Sequence, residues 1–103
     1  MVKRKPHHPL AAIKIKFASV TTLEMTTTAA KAAVALGYDR AGVVAVVQGL
    51  ASGDFVKSET AHSPPNSRVW HDTYTTTHDD YLLYLKFAGE TLLDLVLVSF
   101  KEA

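Results

Sequence analysis

Tyr81-Leu82-Leu83-Tyr84-Leu85-Lys86-Phe87, followed by Ala88-Gly89-Glu90 and an apolar run over residues 91–100, is the stretch that decides the fold class. Leu83, Leu85 and Phe87 fall on one side of an extended pleat. Leu82, Tyr84 and Lys86 fall on the other, the period of two expected of a strand with one buried face. Ala88-Gly89-Glu90 then reads as the close of a hairpin. Residues 91–100 are apolar on both faces apart from Asp94, the pattern of a central strand covered on both sides. Working back from there, residues 55–60 read as a short strand, 62–67 as a loop, 68–75 as a β-branched and aromatic strand, and 76–80 as a turn.

Upstream of residue 54 the period changes. Thr26, Thr27 and Thr28 offer hydroxyls to cap an alanine-rich helix over 29–36, and Gly37 can supply its left-handed C-terminal cap. Asp39 is placed to cap a helix over 40–50, where Val43, Val44, Val47 and Leu50 form a stripe that should pack on the sheet. Residues 10–20 fit two patterns, since Ile13, Ile15 and Phe17 alternate while Leu10, Ile13, Phe17 and Val20 recur at helical spacing. We read them as helix. A helical part over 10–50 that precedes an antiparallel sheet over 54–101 makes an α+β fold.

The 103 residues are expected to form one domain, residues 1–103, because 48% hydrophobic and 20% charged content supports a real core in a chain of single-domain length. The absence of cysteine excludes thiol nucleophiles, cysteine zinc sites and redox motifs. A net charge of +1 excludes a bulk polycation. The charge is unevenly spread, though: Lys3, Arg4, Lys5, Lys14 and Lys16 all precede the first acid, Glu24, so residues 1–9 read as a basic arm. Pro6, His7, His8 and Pro9 interrupt what would otherwise begin like a signal peptide. No window approaches the roughly 18 apolar residues that span a bilayer. A cytoplasmic chain without a membrane partner is the expectation.

Five histidines with neighbouring acids invite a metal reading, but His7-His8, His71-Asp72 and His78-Asp79-Asp80 have no recognised ligand spacing, and solvated turn residues account for them better. The five glycines are isolated, so there is no phosphate loop, and no Gly-x-Ser-x-Gly elbow occurs. What remains is a set of cations and aromatics on the sheet: Lys57, Arg68, Trp70, His71, Tyr74, Tyr81, Tyr84, Lys86 and Lys101. Such a mixture suits single-stranded RNA, because ammonium and guanidinium groups take phosphate while rings stack on unpaired bases. Taken singly, Trp70 reads as a sheet-packing residue ahead of a base-stacking platform, and each lysine as a solvated charge.

The ordered blocks Lys3-Arg4-Lys5-Pro6-His7, Gly49-Leu50, Asp54-Phe55-Val56-Lys57-Ser58, Val69-Trp70-His71-Asp72-Thr73-Tyr74, Tyr84-Leu85-Lys86 and Val98-Ser99-Phe100-Lys101-Glu102 resemble the MqsR family of toxins over nearly the whole chain. The resemblance implies a RelE-like fold with helices on one side of an antiparallel sheet. It also implies an endoribonuclease, an mRNA interferase of a toxin–antitoxin system that is held in check by a cognate, MqsA-like antitoxin. Lys57 and Tyr84 match expected active-site positions, and Lys101 matches the lysine of the terminal block. His71 departs from the family pattern, which has glutamine there, and Val56 replaces a tyrosine.

Metal-free RNA cleavage needs the ribose 2′-hydroxyl deprotonated, the phosphate's growing charge neutralised and the leaving 5′-oxygen protonated, and no cofactor. The expectation is that Lys57 supplies charge, His71 is general base or acid, and Tyr84 positions or protonates the leaving group. Arg68, Trp70, Lys86 and Lys101 are expected to bind substrate. The alternatives for the first three are a strand-edge gatekeeper, a capped surface histidine and an amphipathic sheet residue. Two other functional classes use the same surface: a non-catalytic nucleic-acid-binding regulator, and a protein-interaction domain.

Overall fold

The computed structural model describes residues 1–62 and 65–103. Ser63 and Pro64, in the middle of the expected loop 62–67, lie outside the described residues. The described chain runs β1 (Val2–Lys3), α1 (Leu10–Lys16), α2 (Thr27–Ala35), α3 (Arg40–Gln48), β2 (Phe55–His62), β3 (Pro65–His78), β4 (Tyr81–Gly89) and β5 (Val96–Glu102). The strands form an antiparallel sheet in the order β1-β2-β3-β4-β5. This is the α+β class, with helices ahead of all but the two-residue first strand. No helix among the described residues is long and apolar enough to cross a membrane.

The helix ends follow the local chemistry. The Thr26 hydroxyl accepts from the Ala29 N–H at 3.1 Å, and the Asp39 carboxylate accepts from the Gly42 N–H at 2.8 Å, each satisfying a donor that the first helical turn leaves open. Gly37 closes α2 at φ +91°, a conformation that favours glycine. The helices pack on one face of the sheet through Ile13, Phe17, Val43, Val46, Val47 and Leu50, which meet Tyr74, Leu83, Leu85, Phe87, Leu97 and Phe100 in one buried cluster. Phe17, which caps the C-terminus of α1, lies 5.5 Å from Phe87 between ring centroids, and Tyr38, between α2 and α3, lies 5.3 Å from Phe100.

Several expectations need correction. Residues 65–67, expected in a loop, open β3, with Asn66 opposite Ala61 and Pro65 opposite His62, and the helix expected over 10–20 ends at Lys16. The turn over 76–80 is shorter, because β3 continues to His78 and only Asp79 and Asp80 turn, both at positive φ, the two-residue hairpin geometry that aspartate tolerates. Ala88 and Gly89 do not close the next hairpin; they pair with His71 and Trp70 inside the sheet, and the connection starts at Glu90. The last strand begins at Val96 rather than Thr91 and lies at the sheet edge rather than its centre. Asp94 explains the late start: its carboxylate accepts from the Glu90 and Thr91 N–H groups at 3.1 and 2.8 Å, which folds 90–94 into a turn. The apolar content of β5 reflects what covers it. Met25 forms a parallel bridge to Leu97, whose N–H donates to the Glu24 carbonyl at 2.9 Å, and α2 packs alongside.

The basic arm is docked onto the sheet. Val2 and Lys3 pair with Glu59 and Ser58 of β2. The His7 and His8 N–H groups donate to the buried Asp72 carboxylate at 3.2 and 2.9 Å, and the Ser58 hydroxyl donates to it as well. His8 is buried, with its Nε2 3.1 Å from the Gly89 carbonyl oxygen.

Candidate functional site

Strand register determines which side chains share a surface, because directly opposed residues point the same way and alternate residues point apart. Lys57 of β2 opposes Thr73 of β3, which opposes Lys86 of β4, which opposes Ser99 of β5. One row along, Tyr84 opposes Thr75 on one side and Lys101 on the other. In the row on the opposite flank, His71 opposes Glu59 and Ala88. The structure therefore brings Lys57, His71, Tyr84, Lys86 and Lys101 to one face of the sheet, the face turned away from the helices. Two irregularities make this work: register shifts between Phe55 and Lys57 and between Lys86 and Phe87 let Phe55 and Leu97 point into the core while Lys57 and Lys101 point out.

Neighbouring strands stand about 4.8 Å apart, so Lys57 and Lys86, two strands apart, arise from backbone about 10 Å apart. Their flexible stems can converge on one phosphate. The Tyr84 ring sits between two ammonium groups, with Lys101 Nζ 5.1 Å and Lys86 Nζ 5.7 Å from its centroid. Thr73, almost fully buried between Lys57 and Lys86, has a hydroxyl without a hydrogen-bond partner among the described residues.

One acid joins this surface. Glu59 Oε1 lies 3.1 Å from Lys57 Nζ and its Oε2 lies 3.3 Å from His62 Nε2, with only 14% of the glutamate side chain exposed. The hydrogen bond from His62, and then that from Lys57, hold the Glu59 carboxyl below the usual carboxylate range, so it is ionised near neutrality. His71 is shifted below its ordinary value by burial first and by the Lys86 charge second, while Glu59 opposes the shift. Its imidazole is accordingly neutral near pH 7 and free to accept a proton.

Four of the expected residues stand apart: Tyr74 is fully buried in the core and Tyr81 packs against it, and Trp70 and Arg68 also leave the face. Trp70 alternates to the other side of β3 and is 9% exposed, with the His7 ring stacked on it at 5.0 Å and an interplanar angle of 11°, and Lys3 Nζ 4.2 Å from its centroid. Arg68 is exposed beyond the register shift that follows Thr60. The sequence reading missed Glu59 and Thr73, although period-two counting from Lys57 and His71 would have placed both on the face. Among the described residues no three histidine or acidic side chains gather as a metal-binding group. A groove of about 600 Å³, lined by residues such as Ala12, Ile15, Leu92 and Leu93 with Lys16 and Glu24 at its side, is mostly apolar and built from α1 and the loops around it. Its one ammonium, Lys16, is taken up by the Leu92, Leu93 and Leu95 carbonyls and by Glu24, so the open sheet face is the candidate site.

Comparison with known proteins gives this face a context. The family described as motility quorum-sensing regulator, toxin of MqsA, matches residues 5–102. The mRNA interferase toxin MqsR of Escherichia coli (strain K12) is 35% identical over 102 residues, covering 99% of this chain and 99% of that one. A match over nearly the full length, on blocks that include the Lys57, His71 and Tyr84 strands, leaves one assignment: this chain belongs to the MqsR toxin family.

Proposed function

We propose that the chain is an endoribonuclease toxin that cuts messenger RNA on the open face of its sheet, by attack of a ribose 2′-hydroxyl on the adjacent phosphate. The neutral His71 imidazole takes the 2′-hydroxyl proton. The 2′-oxygen bonds to phosphorus as the bond from phosphorus to the 5′-oxygen breaks, and the Tyr84 hydroxyl supplies the proton that the leaving oxygen needs. Lys57 and Lys86 neutralise the charge that builds on the phosphoryl oxygens, and Lys101 takes a neighbouring phosphate. The products are a 2′,3′-cyclic phosphate and a 5′-hydroxyl, and no cofactor enters the balance.

The observation that carries this reading is the shared face: an ammonium, an imidazole and a phenol from three adjacent strands all lie on the side of the sheet turned away from the helices. Activity belongs in the cytoplasm, with a cognate antitoxin holding it in check, as the family's description as a toxin of MqsA supports. The test is cleavage of a short RNA with a chelator present, with the new ends identified by mass spectrometry. Cyclic phosphate and 5′-hydroxyl ends are expected, together with no cut where the attacking hydroxyl is replaced by hydrogen. Ends bearing 5′-phosphate would overturn the mechanism, and RNA bound but uncut would point to a regulator.

A further inference from the structure

A carboxylate on a phosphate-binding surface repels the substrate, and Glu59 is the one acid among the described strand residues of this face. Its position makes sense if the repulsion is offset during the reaction. Glu59 and His71 are directly opposed on β2 and β3, which brings their β-carbons to within about 5.5 Å. The same carboxylate holds Lys57 at 3.1 Å. When His71 takes the proton of the 2′-hydroxyl it becomes a cation facing that carboxylate, an attraction absent while the imidazole is neutral. An interaction that appears only as the reaction proceeds lowers the barrier instead of merely tightening binding. An acid that orients a histidine and stabilises its protonated form does the same work in hydrolytic triads.

We infer that Glu59 is a positioning residue of the RNA-cutting face, setting the Lys57 ammonium beside the phosphate and stabilising the imidazolium that forms at His71. The inference rests on the endoribonuclease reading above and assigns that site a residue which touches neither phosphate nor ribose. The charged and titratable groups around His71 are Glu59, Lys57 and His62 from β2, Asp72 from its own strand and Lys86 from β4. Glu59 is the nearest opposing charge on the open face, since Asp72 points to the other side of β3.

The pH profile of kcat/KM separates this role from a structural one. In wild type the rate rises with pH as His71 loses its proton. In Glu59→Gln that rising limb should move to lower pH by roughly 0.5 to 1 unit, because an opposite charge close by has been removed. The rate on the plateau should fall, while an uncleavable 2′-deoxy analogue binds several-fold tighter. Glu59→Asp, which keeps the charge, should hold the limb near its wild-type position, so a folding defect in one variant does not decide the matter. In a His71→Gln background the Glu59→Gln substitution should shift no limb. A Glu59→Gln profile superimposable on wild type, or a shift that persists without His71, would overturn the inference. If wild type cuts RNA, Lys57→Ala and His71→Gln lose most activity, and Glu59→Gln alone behaves as wild type, then Glu59 is bland and the cleavage reading stands. If Lys57→Ala and His71→Gln cut at the wild-type rate, the cleavage reading itself fails.

Discussion

The two faces of the sheet are built from the same strands and obey different rules. Toward the helices, Tyr74, Leu83, Leu85, Phe87 and Phe100 are essentially fully buried and gain their stability from apolar area and close packing. Toward solvent, Lys57, Tyr84, Lys86 and Lys101 crowd like charges around a tyrosine, with a single carboxylate as counterweight. A surface selected for stability alone would not gather three ammonium groups in two adjacent rows. The difference separates what holds the protein together from what it does, and substitution can test that division.

The largest effect is expected on the helix side. Phe87→Ala removes a ring packed against both Phe17 and Tyr74, and unfolding in denaturant should show a loss of about 3 to 5 kcal/mol, with activity lost through unfolding. Lys57→Ala on the open side should slow RNA cutting roughly 100- to 1,000-fold, the range seen when one charge-stabilising donor is removed, while the melting midpoint stays near wild type. Equal stability losses from the two changes would erase the distinction between the faces. A third substitution probes the seam between them. Asp72→Asn replaces a buried carboxylate that receives two backbone N–H groups of the arm and the Ser58 hydroxyl, and should cost roughly 2 kcal/mol in a denaturant titration while exposing residues 1–9 to protease.

The smallest effect is a pH dependence. His71 binds its proton less readily in the folded chain than in the unfolded one, whose value is 6.5. Stability is therefore full above pH 6.5 and declines as pH falls through 6.5 toward the lower folded value, because the unfolded state takes up the proton first. His71→Gln should flatten that part of the stability curve, as followed by thermal melts between pH 5 and 7. A curve unchanged by the substitution would mean that His71 is not desolvated.

Alternation made much of this legible in advance. Leu83, Leu85 and Phe87 against Leu82, Tyr84 and Lys86 is the division observed, and the caps at Thr26, Gly37 and Asp39 stand where short-range hydrogen bonding puts them. The errors arose where a contact distant in sequence decides local structure. The edge position of β5 was hidden because Met25 and α2 cover it, which gives an edge strand the composition of a central one. Trp70 was expected among the substrate-binding residues because nothing in its neighbourhood announces that the His7 ring stacks on it and the Lys3 ammonium sits over it from more than sixty residues away. The shared face of Lys57 and Lys101 depended on two register shifts, and a single residue of slippage would have turned either side chain inward. Glu59 was legible by counting two from Lys57 but draws notice only when the register sets it opposite His71.

The central claim is that the open face cuts RNA while the helix-covered face holds the fold. The direct measurement is single-turnover cleavage of a short RNA, with chelator present, by wild type, Lys57→Ala and Tyr84→Phe, each with its melting midpoint recorded. The account predicts that both variants melt like wild type and lose most of the cleavage rate. Wild-type rates in both variants, or losses that simply follow a lowered midpoint, would contradict it.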